Sequence, residues 1–289
     1  MKIIYVQIPA YRDTELGPTL LDMFEKAAHP DQIRVRVCWQ HAPQETLPKA
    51  VLDHHSIEIV DVPFECSGGC NWARKSLQDH WNNEKYTLLL DSHHRFIAGW
   101  DAHLITMYES LKSKGIEKPL ITAYLPPYEP NNDPQGREME PLEIRSLSRE
   151  RGLLIYLSSY RIPLWTWLTE PIKAKFVSLH FIFTLGIFNH EIIFDEDIYF
   201  FGDEVVTALK AFTHGYDLFH PHYVLGWHLY YRDKTRITHW SDHSDFETRH
   251  EKSHERMRDI FLGLDDRGLG TVKTLAQYEN LINDKLLTC

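Results

Sequence analysis

Five consecutive residues, Tyr86-Thr-Leu-Leu-Leu90, restrict the folds open to this chain more than any other stretch. A strand with one wet face alternates apolar and polar side chains, whereas an unbroken apolar run suits a strand buried on both faces. Such strands occur inside parallel sheets covered by helices on both sides. The neighbouring segments agree. Residues 3–8 form an apolar strand, 33–39 alternates Ile33, Val35, Val37 and Trp39, and 57–62 and 120–125 are short strands. Between them, 16–28 carries helical spacing at Leu16, Leu20, Met23, Phe24 and Ala27 and ends before Pro30. Residues 71–81 read as a helix opened by Gly68-Gly69, and 99–114 as a helix ending at Gly115. Strands alternating with helices predict an α/β fold with a mostly parallel central sheet flanked by helices.

The second half is less regular. Residues 126–150 are rich in Pro, Asn, Asp and Glu and predict a long surface loop, a kind of segment that often carries function. Strands are expected over 153–160, 176–183 and 216–224, and helices over 203–213, 246–262 and 274–285. The Trp165-Thr-Trp167 pair is expected in core packing, with an acceptor platform as the alternative. No internal repeat is visible, and 289 residues suit one continuous domain.

A formal net charge of −10 argues against a nucleic-acid binder, which normally presents a basic face. The opening apolar run is broken by Gln7 and lacks a small-residue cleavage site, so it is not a secretory signal. The stretch 176–194 carries His180, Asn189, His190 and Glu191, which makes it too polar to span a membrane. These features predict a soluble cytoplasmic protein, with peripheral membrane association left open. Cys38, Cys66, Cys70 and Cys289 lack zinc-ribbon spacing and are expected as free thiols. Most of the 18 histidines, including His54-His55 and those of 239–254, are expected in surface or structural positions.

Chemistry concentrates where the apolar run ends. In extended chain, residues two apart share a face. Asp91 and His93 can therefore reach one cation at the carboxyl end of a buried strand, where open α/β sheets bind ligands. Mixed carboxylate and imidazole ligands favour a borderline ion such as Mn²⁺, which would neutralise a diphosphate leaving group. A capping Asp91 with an exposed His93 is the plain alternative. The first loop, from Gln7 through Pro9, Tyr11, Arg12 and Asp13, lacks both the dinucleotide and the P-loop glycine patterns. Tyr11 can stack on a base there, and Arg12 and Asp13 can bond a base or ribose, unless Asp13 or Thr14 simply caps the helix. Arg74, one turn inside its helix, can reach a nucleotide or its diphosphate, with a surface arginine as the plain alternative. Asp203 and Glu204 follow Gly202 at a helix start, where carboxylates are favoured by the dipole alone. Asp195 to Asp197 reads as a solvated turn. His228 stands among aromatics, and nothing in its local sequence pairs it with Asp91.

Together these pieces resemble the polypeptide α-N-acetylglucosaminyltransferase family, whose known eukaryotic members attach N-acetylglucosamine to hydroxyproline and which has bacterial relatives. The resemblance covers nearly the whole chain. It runs from Ile8-Pro-Ala-Tyr-Arg-Asp13 and Leu20-Leu-Asp-Met-Phe24 through Val37-Cys-Trp-Gln40, Leu90-Asp-Ser-His-His-Arg-Phe96 and Trp100-Asp101. It continues through Phe200-Phe-Gly-Asp-Glu204, Thr213-His-Gly-Tyr-Asp217 and Gly268-Leu-Gly-Thr-Val-Lys-Thr-Leu275 to Tyr278-Glu279. Asp91-Ser92-His93 is also similar to the metal motif of mucin-type N-acetylgalactosaminyltransferases, which share the GT-A fold.

The resemblance implies a single Rossmann-like GT-A domain over 1–289, with a nucleotide-binding half over 1–125 and an acceptor-binding half over 126–289. It implies a UDP-sugar donor, N-acetylglucosamine favoured, a protein hydroxyl or glycan acceptor, Mn²⁺ with Mg²⁺ as the alternative, and retention of configuration. It makes Asp91, His93 and His228 the metal ligands. Pro9, Tyr11, Arg12, Asp13, Arg74 and Asp91 would line the nucleotide site, and Asp203 or Glu204 would contact donor sugar or acceptor. The family often has small residues where Leu179 and His180 stand, and commonly Glu where Asp203 stands, which leaves the identity of the sugar open. A metal-dependent sugar-nucleotide hydrolase or nucleotidyltransferase, and a non-catalytic carbohydrate-binding module, are the competing readings.

Overall fold

In the computed structural model, which describes residues 2–230, 237–265 and 268–288, the apolar run of 86–90 is an inner strand. The first half contains β1 (Ile4–Tyr11), α1 (Leu16–Lys26), β2 (Ile33–His41), the one-turn α2 (Lys49–Leu52), β3 (Ile57–Pro63), α3 (Cys70–Gln78) and β4 (Tyr86–Leu90). It continues with β5 (His94–Phe96), α4 (Trp100–Ser113) and β6 (Pro119–Thr122). The second half contains β7 (Leu142–Glu150), β8 (Leu154–Arg161), β9 (Ile172–Lys173), β10 (Phe181–Leu185), α5 (Phe188–Glu191) and α6 (Asp203–Thr213). It ends with β11 (Asp217–His220), β12 (Gly226–His228), α7 (His239–Asp242), α8 (Phe246–Phe261) and α9 (Leu275–Ile282).

Eight strands form one sheet in the order β3-β2-β1-β4-β10-β6-β11-β9. The first four pair in parallel, as do β6 and β11, while β10 and β9 run antiparallel to their neighbours. Strands from the second half thus extend the sheet begun by the first. Alternation along β4 sends Leu88 and Leu90 to a core with Ile4, Val6, Leu20 and Leu104. Leu89 faces the other core, with Ile182, Val205, Leu209 and Tyr278. Each such buried side chain contributes about 1.5–3 kcal/mol. A register slip would reverse all of these placements, so the end of β4, where Asp91 begins, is firmly set.

Two further devices locate the site. Asp101, buried at the start of α4, accepts the Ala28 and His29 amides at 2.7 and 2.8 Å and so ties that helix to the end of α1. A separate two-stranded ladder pairs β5 with β12 and sets His228 opposite His94. Gly226 permits this pairing, because a Cβ there would stand 2.5 Å from the Arg95 carbonyl oxygen.

The structure corrects several expectations. The presumed loop over 126–150 contains β7, which forms a hairpin with β8. Only Ile144 of β7 is buried, so the polar composition masked a strand held by backbone bonds. The strand expected over 176–183 is instead a turn through Ser178 to His180 followed by β10, because Ser178 N–H is held by Thr122 Oγ1 at 2.8 Å. Trp167 is 81 % exposed, so core packing does not explain it. Asp195 is not simply solvated; Arg256 Nε reaches it at 2.6 Å. Cys38, Cys66 and Cys70 are in no disulfide, and Cys289 lies outside the described residues. No described helix is long and apolar enough to cross a membrane.

Gly226→Ala is expected to cost about 1–3 kcal/mol, the usual range for overpacking, by forcing β12 off β5. Thermal denaturation measures this, and an unchanged melting temperature would contradict the role given to that ladder.

Candidate active site

Asp91 leaves β4 at the carboxyl edge of the sheet, and His93 follows on the way into β5. The backbone of β12 is clamped there. His228 N–H donates to the Pro126 carbonyl at 3.0 Å, and Leu229 N–H to that of His93 at 3.1 Å. One ligand atom from each of Asp91, His93 and His228 lies within 4.8 Å of the others. Asp91 Oδ2 is 3.8 Å from His93 Nε2 and 3.5 Å from His228 Nε2.

The donor set fits a cation. His93 Nδ1–H donates to Asp13 at 2.6 Å, leaving its Nε2 facing Asp91. This is the carboxylate–histidine arrangement that fixes ring orientation in metal sites. Asp13 also accepts from Ser92 Oγ at 2.6 Å and from the Glu15 amide at 2.9 Å. Burial would raise its carboxyl, but His93 and these donors hold it below the ordinary value. Both oxygens of Asp13 are therefore already bonded. Among the described residues, neither buried ring nitrogen of His228 has a hydrogen-bond partner, an expensive condition for polar atoms that a cation at Nε2 would relieve for that atom. Burial, and then His180, hold the His228 imidazole well below its ordinary range, so the ring is neutral and able to ligate. Burial works against charge on Asp91, yet His228, Arg74 and His93 bring its carboxyl well below the usual range.

Two cavities meet at this point. The larger, about 460 Å³, is lined by Arg74, Asp91, Tyr124, His180, Asp203 and Glu204, with β8 as a further wall. The smaller, about 130 Å³, is lined by Pro9, Tyr11, Gln40, Asp91, His93 and His239. Asp91 and Phe200 line both.

Arg74 is the buried cation between the carboxylates. It stands 3.2 Å from Asp91 and 3.6 Å from Asp203, and donates to the Leu179 carbonyl at 3.2 Å. Burial alone would lower its guanidinium, but Cys70, Asp91, Asp203 and Glu204 raise it. Asp203 opens α6 behind Gly202, whose φ is +90° and whose Cβ would meet Met257 Sδ at 2.2 Å. Burial, opposed by Arg74 and reinforced by Glu204, pushes the Asp203 carboxyl up to about 7. Glu204 is also raised by burial, against the donors it accepts from: the Tyr124 hydroxyl, and the Leu179 amide at 3.0 Å.

The sequence-predicted residues thus separate into groups. Asp91, His93 and His228 converge, with Arg74, Asp203 and Glu204 on the larger-cavity side. Pro9, Tyr11 and Asp13 line the smaller cavity. Arg12 turns away: its guanidinium binds Glu45 at 3.1 Å and Asp242 at 3.0 Å, and the Tyr11 hydroxyl also donates to Asp242, at 2.7 Å. His239, expected in a surface or structural run, packs at a tilt against Tyr11, 4.9 Å between ring centres, and lines the smaller cavity. Tyr124 lines the larger cavity although nothing local marks it, and His180 lines it at a position where the family often has a small residue.

The Glycosyltransferase (GlcNAc) family model matches residues 3–55 and 44–282. No curated protein matches the chain in sequence. A structure of GalNAc-T7 with UDP, GalNAc and Mn²⁺ superposes with a TM-score of 0.60 at 15 % identity, over 98 % of this chain and 55 % of that one. The chain thus spans little more than half the length of GalNAc-T7. Staphylococcus aureus TarS 1–349 gives 0.58 at 13 % identity, over 98 % of this chain and 69 % of that one. TarS 1–349 with UDP-GlcNAc gives 0.55 at 14 %, over 98 % and 70 %. These likenesses show a GT-A glycosyltransferase fold.

Two outcomes follow from the geometry. Asp13→Asn should weaken divalent-cation binding about 10–100-fold in a calorimetric titration, and unaltered affinity would contradict the orienting role of Asp13. For Asp203, an unfolded carboxyl titrates near ~4, whereas the folded one titrates at about 7. Between these values the folded chain keeps a proton that the unfolded chain has lost, so this stabilisation is full below the window and disappears as pH rises through it. Melting curves should therefore show Asp203→Asn gaining on the unaltered chain from about pH 4 to 7; a constant difference would contradict the assignment.

Proposed function

Because the chain belongs to the Glycosyltransferase (GlcNAc) family, we propose that it transfers a sugar, N-acetylglucosamine favoured, from a UDP-sugar to a hydroxyl of a protein or glycan. The transfer retains anomeric configuration and depends on a divalent cation, Mn²⁺ favoured over Mg²⁺. The observation that carries this reading is the meeting of two cavities at Asp91, beside His93 and His228. A nucleotide in the smaller cavity and a sugar in the larger would place the connecting diphosphate at those three residues. The bound nucleotides and the Mn²⁺ in the GalNAc-T7 and TarS structures support the choice of donor and cation. The reading treats 1–289 as one catalytic unit, with 1–125 on the nucleotide side and 126–289 on the acceptor side.

In this reading Asp91, His93 and His228 hold the cation, which when bound would act as a Lewis acid on the diphosphate. Pro9, Tyr11 and His239 bracket the base. Arg74 lies beside the developing negative charge of the departing UDP, in a buried setting where its field is weakly screened. Asp203 faces the donor sugar or acceptor hydroxyl from the start of α6. Glu204, with an oxygen on Tyr124 and an oxygen on the Leu179 amide, fixes the wall of the same cavity. The bond from the anomeric carbon to UDP breaks, the acceptor oxygen bonds that carbon on the same face through a short-lived oxocarbenium-like ion pair, and the hydroxyl proton passes to the departing UDP phosphate, so no side-chain nucleophile is needed.

The test is UDP release from a panel of UDP-sugars with Mn²⁺, with and without acceptor extract. Turnover of UDP-N-acetylglucosamine should be lost on chelation and return with Mn²⁺. Asp91→Ala, His93→Ala and His228→Ala should each reduce it about 100-fold or more, equivalent to about 2.7 kcal/mol of barrier. Unchanged turnover in Asp91→Ala and His93→Ala would overturn the reading. Product formation that never requires an acceptor would favour a hydrolase.

A further inference from the structure

A stack of three rings runs from the wall of the larger cavity to His228. His180 lies between Tyr124, 5.3 Å away and 19° from parallel, and His228, 4.0 Å away and 13° from parallel. Tyr230 meets His228 edge-on at 4.4 Å and His180 at 5.9 Å. His180 is itself fixed. The Leu125 amide donates to its Nε2 at 3.1 Å, so Nδ1 carries the proton and donates to Ser178 Oγ at 2.9 Å. The ring is buried, only 6 % exposed, and set by the turn that precedes β10.

His228 lacks this kind of support. Its backbone is clamped, but its Nδ1 has no hydrogen-bond partner among the described residues, and its Nε2 faces Asp91 Oδ2 from 3.5 Å. A histidine ligand is ordinarily oriented by a hydrogen bond on its other nitrogen. His93 has one, donated to Asp13; His228 has the flat face of His180. Close packing restricts ring rotation by contact alone, since interiors leave little free space. We propose that His180 is a positioning residue, whose ring holds the His228 imidazole aimed at the cation shared with Asp91 and His93. This rests on the metal reading given above.

The test separates the ring from its hydrogen bonds. His180→Phe keeps a flat ring but cannot bond Leu125 or Ser178. His180→Gln keeps an acceptor for the Leu125 amide but removes the ring. His180→Ala removes both. Mn²⁺ affinity is measured by calorimetry on each full chain without donor or acceptor, with melting curves to verify folding. The expected result is a loss of about 10–100-fold in Ala and Gln and recovery to within a few-fold of the unaltered chain in Phe. Co²⁺ absorption should follow the same order, since it reports the ligand field directly. The proposal is overturned if Ala binds Mn²⁺ as tightly as the unaltered chain. It is also overturned if Gln recovers and Phe does not, which would assign His180 to the Leu125 amide alone. If the unaltered chain itself takes up no Mn²⁺, the metal reading falls and this proposal with it, an outcome distinguished by needing no variant.

Discussion

Asp91 and His93 arrive at the sheet edge by following β4, but His228 comes from far along the chain and could stand anywhere on the surface. The antiparallel pairing of β5 with β12 removes that freedom. It sets His228 opposite His94, and the backbone bonds of residues 228 and 229 to Pro126 and His93 lock the pair from both sides. Three residues of ladder are a weak structure in isolation. Here they are supported by a core in which β4 is buried on both faces and α4 is tied to α1 through Asp101. The convergence of the three candidate ligands therefore depends on long-range packing far from the site.

Charge balance imposes the second constraint. Asp91, Asp203 and Glu204 stand close together in a buried region, with Arg74 among them. Such carboxyls repel one another and resist ionisation when desolvated. The structure resolves this unevenly. Asp91, next to Arg74 and two imidazoles, stays ionised, while Asp203 and Glu204 are shifted toward their protonated forms. A carboxylate beside two imidazoles suits a cation on one side, and carboxyls able to hold protons suit sugar hydroxyls on the other. Residues far apart in the chain thus offer different chemistry at neighbouring points of one site.

Legibility in the sequence followed distance along the chain. The unbroken apolar run of 86–90 exposed the inner strand, and residue spacing alone made Asp91 and His93 candidates for one ion. His228 entered only through the family resemblance, since no local pattern encodes a pairing between β5 and β12. The bond between Asp13 and His93 was hidden for the same reason: each residue has an ordinary local explanation. β7 was obscured because a hairpin strand with a single buried side chain looks like loop in composition. Tyr124 and His180 bear on the site through ring contacts that no spacing rule describes. His239 was concealed in a polar, histidine-rich run, and Arg12 is drawn away by Glu45 and Asp242, which the sequence places far from it.

The central claim is that Asp91, His93 and His228 share one cation at the junction of the two cavities. Anomalous X-ray diffraction from a crystal grown with Mn²⁺ and UDP tests it most directly. The account predicts one strong manganese peak about 2.1 Å from an Asp91 oxygen and from Nε2 of His93 and His228, with UDP phosphate oxygens completing the shell. UDP bound with no peak there, or a peak that leaves His228 outside its coordination sphere, would contradict it.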